Sequence, residues 1–158
     1  MISNPRIQKR VIIMRNFSFP EDYSKVYELW KNAGNGIHLR VSDQPEEIKK
    51  KTTRDADLFI VAEVDGEIIG TVMGGFDGRR GMMYHLAVEK KYRKQGIATS
   101  LVNELEKRLR AKGCIRYYLL VTKDNQEAIK FYEKLGWELM DDLLAYGKDI
   151  EEISSKKR

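Results

Sequence analysis

A short basic connection between a strand and a helix, in the middle of the chain, is the feature that most constrains the fold. Met82–Val88 has the apolar pattern of a strand, and an amphipathic helix begins near Ile97, directly after Gly96. The backbone N–H groups and the positive dipole at a helix N-terminus attract anions, and Arg93 and Lys94 add positive charge there. We therefore predict a site for a pyrophosphate group at this turn.

The helix that follows the turn has the most regular pattern in the chain. It is predicted over Ile97–Lys112, and Gly113 supplies its C-terminal stop. Its apolar stripe consists of Ile97, Leu101, Leu105 and Leu109. Ile115–Thr122 then has the composition of a buried strand. Because a strand–helix–strand unit makes a right-handed crossover, this strand is expected to run parallel to Met82–Val88.

The first part of the chain predicts one strand, two helices and a hairpin. Ser18 and Glu21 are spaced as a capping box, which places the start of the first helix there. Ile48 is almost the only apolar residue of the second helix, so that helix is expected to pack lightly. Asp65-Gly66 is the strongest short hairpin signal. The expected elements are a strand over Ile12–Phe17, a helix with Tyr23, Val26, Tyr27 and Trp30 on one face, a helix from Asp43 or Gln44 to Thr52, and strands over Leu58–Val64 and Glu67–Phe76.

The end of the chain predicts a helix and a final hairpin. Asn125 is placed to cap a helix that ends at Gly136. Trp137–Met140 and Leu143–Lys148 are expected to pair as strands across Asp141-Asp142. The expected organisation is one domain over residues 11–150, a flexible arm over residues 1–10 and a charged flexible tail over residues 151–158.

Composition narrows the classes of function. The 29 Lys and Arg residues against 24 Asp and Glu give a formal charge of +5, which suits phosphate-bearing ligands. No apolar run reaches the ~20 residues of a membrane helix, so a membrane is not expected as a partner. The single cysteine, Cys114, excludes an internal disulfide and fits a cytoplasmic location. Nucleic acid is not expected as a partner either, because aromatic residues do not alternate with basic ones on one face.

The basic turn carries a motif that resembles the signature of the GNAT superfamily of acyl-CoA-dependent N-acetyltransferases. That signature is Arg/Gln-x-x-Gly-x-Gly/Ala, and the turn reads Arg93-Lys94-Gln95-Gly96-Ile97-Ala98. The preceding strand Tyr84–Val88 and the run from Asn125 to Trp137 match later motifs of the family, and the hairpin around Asp65-Gly66 extends the match upstream. Within the family, the chain looks closest to the YpeA-type bacterial acetyltransferases.

The resemblance implies both a fold and a reaction. The fold is α+β, with a mixed and mostly antiparallel central sheet, a parallel strand pair splayed at the acyl-CoA site, and helices on both faces. The reaction is transfer of an acetyl group from acetyl-CoA to a primary amine by direct attack, with no metal. The acceptor is a small-molecule amine, or a lysine or N-terminus of a protein. A homodimer is common in the family and is a possible state of this chain.

The resemblance also assigns residues to the acyl donor. In the family, pantetheine lies along the end of the strand before the turn, which here is the backbone of Leu86, Ala87 and Val88. The residues matched to the pyrophosphate site are Arg93, Lys94, Gln95, Gly96, Ile97 and Ala98. The family's Asn, here Asn125, contacts pantetheine, and its Tyr, here Tyr132, is the general acid near the thioester sulfur. An N-cap and a packed core aromatic are the structural alternatives for these two residues.

The spacing of the last two residues can be examined apart from the resemblance. Asn125 and Tyr132 are seven residues apart, so they share one face of a helix at a separation of about 10 Å along its axis. A phenol with a reference pKa of about 10 stays protonated at neutral pH and can donate to a departing thiolate.

The sequence offers several candidates for the general base. Glutamates that some relatives use correspond here to Met82 and Leu120. His85 and His38 are candidate bases, for which a structural role is the more frequent explanation, and Glu63 and Asp77 are weaker candidates. The missing strand glutamate also favours the main alternative function, a non-catalytic acyl-CoA-binding or sensing module, whereas the presence of Tyr132 argues against it.

The acceptor wall has two candidate residues, Tyr84 and Trp30. Strand alternation predicts that Met82, Tyr84 and Leu86 share one face while His85 lies on the other. A packed core tyrosine is an equally good explanation for Tyr84, and Trp30 is a core residue by default.

Overall fold

The computed structural model describes residues 10–151, in which five strands form one sheet with helices on both faces. The strands are β1 (Ile13–Asn16), β2 (Phe59–Val64), β3 (Glu67–Phe76), β4 (Gly81–Val88) and β5 (Tyr117–Tyr118). The helices are α1 (Tyr23–Lys31), α2 (Pro45–Arg54), α3 (Ile97–Ala111) and α4 (Gln126–Lys134). Apart from their innermost residues, the predicted arm and tail lie outside the described part.

The sheet has the order β1-β2-β3-β4-β5, with the first four strands antiparallel and β5 parallel to β4. This confirms the mixed, mostly antiparallel sheet. At the β2–β3 turn Asp65 has φ +51° and Gly66 φ +80°. Because a two-residue turn with both residues left-handed matches the twist of its strands, the Asp-Gly signal predicts this hairpin correctly.

The sheet separates two apolar layers. On one face, α3 packs Leu101 and Leu105, which are fully buried, against β2 and β3. On the other face, Trp30 of α1 stacks on Phe59 of β2 with ring centroids 6.0 Å apart. Gly74 of β3 lets α3 approach closely, because a Cβ at this position would lie 2.4 Å from Cδ1 of Leu105. The core is thus continuous on both sides of β2 and β3.

Helix α2 is held by one buried apolar side chain and by polar bonds. Ile48 is only 1% exposed, and Lys51 donates to the carboxylate of Asp55 at 2.7 Å and to the main-chain carbonyl of Gly74. Burial lowers the pKa of Lys51. Ile48 is the one buried residue of α2, as the sequence predicts, and the polar bonds of Lys51 supplement this small apolar area.

The first helix begins later than its sequence predicts. The carboxylate of Asp22 accepts the backbone N–H of Ser18 at 2.7 Å and pairs with Arg15 at 2.6 Å. These bonds fold the segment before α1 into a turn, so the helix begins at Tyr23. The predicted capping box of Ser18 and Glu21 is therefore wrong. The carboxylate of Asp22 accepts the backbone N–H of Ser18, which the side chain of Glu21 would accept in a capping box.

The predicted final hairpin is also wrong. Trp137–Met140 and Leu143–Lys148 join no strand ladder, although Leu143 N–H donates to the carbonyl of Met140 at 3.3 Å across the expected turn. An apolar pattern makes pairing possible, but a strand forms only beside a partner, and β5 pairs with β4 over just Tyr117–Tyr118. None of the helices within residues 10–151 is long and apolar enough to span a membrane.

Candidate functional site

A cleft opens where β4 and β5 separate. The two strands pair only through Gly81 with Tyr117 and Met82 with Tyr118. The rest of β4 continues to Val88 with no β5 partner, so its backbone forms one wall of the cleft. Unpaired strand backbone offers a row of donors and acceptors to an extended ligand.

A bulge in β4 lies beside this cleft. Thr71 pairs with Ala87 and Met73 with Tyr84, so Val72 faces both His85 and Leu86. His85 has φ +46°, in the left-handed region that a residue with a β-carbon rarely adopts. Bulges of this kind re-aim side chains and are frequent next to active sites.

The bulge overturns the predicted alternation along β4. Leu86 packs with the apolar layer of α3. Tyr84 lies on the opposite face, where its Cε2 atom is 3.7 Å from the position of a Cβ on Gly75 and near Lys51 of α2. His85 shares this face, because it contacts Trp30. The prediction that Tyr84 and Leu86 share one face is therefore wrong.

The turn between β4 and α3 has unpaired backbone donors. Gly96 precedes α3 with φ +80°, and no side chain caps the helix. In the described part of the chain, the N–H groups of Lys94, Gln95 and Gly96 donate to no carbonyl or side-chain acceptor. Because this N-terminus also lacks an acidic residue in its first turn, it can bind an anion.

Arg93 closes the same turn. Its Nε donates to the carbonyl oxygen of Val88 at 3.0 Å, which leaves the terminal guanidinium N–H groups available for another partner. A surface cavity of about 240 Å³ lies alongside, between this turn and α1. Its lining residues are Lys25, Glu28, Leu29, Asn32, Val88, Glu89, Lys90 and Arg93.

Asn125 caps α4 and faces the segment between α1 and α2. Its Oδ1 accepts the N–H of Ala128 at 3.2 Å, as the N-cap prediction requires. Its Nδ2 lies 3.7 Å from the position of a Cβ on Gly36. The α1–α2 segment therefore reaches across to the start of α4, and the Nδ2 donor has no hydrogen-bond partner among the described residues.

Tyr132 packs on one side and is free at its hydroxyl. Its ring lies edge-to-face with Phe131 at 5.2 Å and with Trp137 at 5.8 Å. Burial raises the pKa of Tyr132 to about 12. Its hydroxyl has no hydrogen-bond partner within residues 10–151 and is not sealed from solvent. The phenol therefore stays protonated at physiological pH and can donate to a ligand.

The candidate acceptor residues have different surroundings. Tyr84 is 42% exposed, and burial together with the charge of Asp55 raises its pKa. Trp30 is 1% exposed, so its ring belongs to the core and does not line an open surface. His38 is exposed.

The two weaker base candidates are occupied by structural bonds. Glu63 forms an ion pair with Arg15. Asp77 accepts the N–H groups of Arg79 and Arg80 at 2.8 and 2.7 Å in the turn before β4. Both carboxylates therefore have a structural role that accounts for their presence.

Two residues have surroundings that the sequence does not indicate. Asp43 is buried, and its Oδ1 lies 2.8 Å from Nε2 of His85. The hydroxyl oxygen of Thr122, which precedes α4, is buried without a partner. The Asp43 contact joins residues that are 42 positions apart, so no local pattern could have predicted it.

A splayed parallel pair beside an uncapped helix N-terminus is the arrangement expected of an acyl-CoA-dependent acetyltransferase. Residues 23–137 match the acetyltransferase (GNAT) family, and the chain belongs to that family. It is 44% identical over 133 residues to acetyltransferase SG1711 of Sodalis glossinidius (strain morsitans), covering 84% of this chain and 92% of that protein. This confirms the predicted family and N-acetyltransferase activity, and acetyl-CoA is the cosubstrate.

Solved structures share the fold. The model superposes with a TM-score of 0.69 on Ard1 from Thermoplasma volcanium, which is 25% identical, over 79% of this chain and 81% of that one. The TM-score is 0.73 for the PaiA N-acetyltransferase from Thermoplasma acidophilum in complex with coenzyme A, 23% identical, over 83% and 92% of the two chains. The closer resemblance to YpeA-type enzymes stays a prediction.

Proposed function

We propose that the chain transfers the acetyl group of acetyl-CoA to a primary amine by direct attack, with Tyr132 protonating the departing thiolate. The observation that carries the proposal is the separation of β4 from β5 after Met82, which leaves the rest of β4 without a β5 partner and next to the uncapped N-terminus of α3. A ligand with phosphates at one end and a reactive thioester at the other fits this arrangement.

The pyrophosphate is proposed to bind at the turn. The N–H groups of Lys94, Gln95 and Gly96 have no acceptor within the described part of the chain, and the helix dipole adds to their attraction for negative charge. The guanidinium of Arg93 retains N–H donors after its bond to Val88.

Pantetheine is proposed to lie along the β4 wall of the cleft. The backbone of Leu86, Ala87 and Val88 has no β5 neighbour there. Across the cleft, the free Nδ2 of Asn125 is a polar donor that an amide-bearing arm can satisfy. N-capping and ligand contact are compatible for Asn125, because they use different atoms of its amide.

Tyr132 is proposed as the general acid. As the carbon–sulfur bond breaks, its hydroxyl donates a proton to the thiolate. A phenol with a pKa of about 12 is fully protonated at neutral pH, so every enzyme molecule has this donor in place. Backbone N–H groups near Leu86 are proposed to polarise the thioester carbonyl.

Replacing Tyr132 by Phe tests the function. We expect kcat to fall by about 100-fold, the size of a general-acid contribution. The affinity for CoA, measured by calorimetry, should change little. Tyr146→Phe is the matched control, because Tyr146 is 90% exposed. An unchanged kcat in Tyr132→Phe would contradict the assigned role.

The acceptor is proposed to be a small-molecule amine, or a lysine or N-terminus of a protein. A panel of spermidine, an aminoglycoside, an amino sugar and a peptide with one lysine and a free N-terminus spans these classes. CoA-thiol release with acetyl-CoA as donor identifies the acceptor. Tight acetyl-CoA binding without transfer to any amine would instead support a sensing module. The cytoplasmic location and the homodimer stay predictions.

A further inference from the structure

His85 and Asp43 form a hydrogen-bonded pair on the face of the sheet that carries α1 and α2. The Nε2 atom of His85 lies 2.8 Å from Oδ1 of Asp43, whose side chain is 5% exposed. The other carboxylate oxygen, Oδ2, accepts the backbone N–H of Arg40 at 2.9 Å. Because an ionised carboxylate only accepts, Nε2 carries the hydrogen and the lone pair of the neutral imidazole lies on Nδ1.

The imidazole is fixed in place by its surroundings. The indole of Trp30 lies edge-to-face with it, with ring centroids 5.0 Å apart. The left-handed backbone of His85, at φ +46°, sets the direction in which the side chain leaves β4. A residue keeps such a strained conformation only where surrounding contacts enforce it, and these residues cluster at functional sites.

The Nδ1 atom of His85 is open. It has no hydrogen bond to any residue within 10–151 and is not among the buried atoms left without a partner. The side chain as a whole is 21% exposed. A small ligand or an ordered water can therefore reach this nitrogen.

The pair is next to the proposed thioester position. His85 directly precedes Leu86 in the bulge, and Asp43 belongs to the segment between α1 and α2. That segment also brings Gly36 close to the Nδ2 atom of Asn125 at the start of α4. The segment thus borders both the imidazole and the helix that carries Tyr132.

We propose that His85 is the general base of the transfer and that Asp43 is the positioning residue that fixes its tautomer. The proposal rests on the acetyl transfer proposed above. Nδ1 of His85 takes one proton from the acceptor ammonium, directly or through one water, and the resulting neutral amine attacks the thioester carbonyl carbon. A carbon–nitrogen bond forms and the carbon–sulfur bond breaks. The sulfur receives its proton from Tyr132, and the second proton lost by the nitrogen restores the phenol through solvent.

Other ionisable groups on this face are engaged elsewhere. The hydroxyl of Tyr23 donates to the main-chain carbonyl of Asp43 at 2.8 Å, and Lys51 pairs with Asp55. Tyr84 stays protonated at neutral pH because its pKa is raised. Among the described ionisable groups, Asp43 is the one that hydrogen-bonds the imidazole of His85.

Chemical rescue provides the decisive test. Gly accepts the left-handed backbone at this position, so His85→Gly removes the imidazole with little backbone strain. We expect kcat/KM for the best acceptor of the panel to fall at least about 100-fold, with CoA affinity unchanged, and added imidazole to restore part of the rate. In the pH profile of kcat/KM, the decrease at acidic pH should disappear in His85→Gly and should occur at a different pH in Asp43→Asn. His38→Gln, which changes the exposed second histidine, should behave as wild type.

Two results would overturn the proposal. The first is a His85→Gly enzyme whose kcat/KM, and its decrease at acidic pH, match those of the wild type. The second is a His85→Gly enzyme that loses activity, is not rescued by imidazole, and loses thermal stability and CoA affinity to the same extent. That result would indicate that His85 has a purely structural role.

An experiment without turnover separates this proposal from the proposed function. The chain has two histidines, so nitrogen NMR of labelled protein resolves both imidazoles. We expect neutral His85 to carry its hydrogen on Nε2, and Asp43→Asn to perturb that preference while leaving His38 unchanged. Hydrogen on Nδ1 would refute the base assignment whatever the activity. Failure of every amine in the panel, with the Nε2 tautomer present, would refute amine transfer and with it the role of His85 as its base.

Discussion

The side chain of Arg93 donates from Nε to the main-chain carbonyl of Val88 at 3.0 Å and thereby joins the turn before α3 to the end of β4. The signature arginine of the family therefore supports the geometry of the turn as well as its charge. Its bond fixes the distance between the proposed pyrophosphate site before α3 and the proposed pantetheine wall. Both halves of the proposed donor site adjoin this one side chain.

Arg93→Gln should weaken the binding of CoA by about 10-fold or more. The substitution removes a charge-assisted bond to the ligand and the bond that closes the turn. Calorimetry with CoA measures the effect. Lys91→Gln is the control, because Lys91 is exposed and pairs with Glu89 at 3.8 Å. Equal effects in the two variants would mean that only overall charge matters.

Gly96→Ala should weaken CoA binding through the backbone. At φ +80° an alanine is strained by about 1 kcal/mol, and relief of that strain moves the N–H groups before α3. Gly78→Ala is the matched control, because Gly78 has φ +101° in the turn before β4. Both variants should unfold at lower temperature, but only Gly96→Ala should raise the dissociation constant. A normal CoA affinity in Gly96→Ala would contradict the turn assignment.

The proposed donor half of the site follows from the sequence alone because its signals are local. The strand, the glycine turn and α3 follow one another directly in sequence, and seven positions separate Asn125 from Tyr132 on one helix. Each signal reflects a preference of the local backbone, such as a helix cap or a left-handed turn. These local preferences are compatible with the tertiary contacts of the folded chain, so the elements form where the sequence predicts them.

Gly74→Ala should destabilise the fold by about 1–3 kcal/mol, the usual cost of overpacking a core. The added Cβ would lie 2.4 Å from Cδ1 of Leu105, which is fully buried and cannot move freely. Gly147→Ala is the control, because no atom lies within 4 Å of its Cβ position. Chemical denaturation measures both. A free energy of unfolding equal to that of the wild type in Gly74→Ala would show that α3 packs less closely against β3.

Alkaline pH should destabilise the protein partly through Tyr132. Its pKa is raised from 10.0 to about 12 in the folded state. The stabilising contribution of the neutral phenol is therefore complete below pH 10 and is lost as the pH rises through 12. Over this interval the free energy of unfolding should fall by about 1.4 kcal/mol per pH unit from this residue.

Tyr132→Phe isolates that contribution. Denaturation curves between pH 9 and 12 should show a shallower decline for Tyr132→Phe than for the wild type. Tyr146→Phe should follow the wild type, because Tyr146 is exposed. Burial and the bond to Glu106 also raise the pKa of Tyr117, so some alkaline decline should persist in every variant. Identical slopes in wild type and Tyr132→Phe would contradict the buried environment of this phenol.

The proposed base pair, His85 and Asp43, was not predictable because it depends on contacts between distant segments. Strand periodicity assumes one residue per ladder position, whereas the bulge places His85 and Leu86 opposite Val72. The pairing of His85 with Asp43 depends on how the α1–α2 segment folds over that bulge. Neither the bulge nor the contact between His85 and Asp43 produces a recognisable pattern in the local sequence.

A crystal structure of the complex with CoA tests the central claim most directly. The account predicts the pyrophosphate within hydrogen-bond distance, about 3 Å, of N–H groups between Lys94 and Ala98. It also predicts pantetheine beside the backbone of Leu86 and Val88, and the sulfur about 3.5 Å from the hydroxyl of Tyr132. CoA bound away from this turn, or a sulfur out of reach of Tyr132 even through one water, would contradict it.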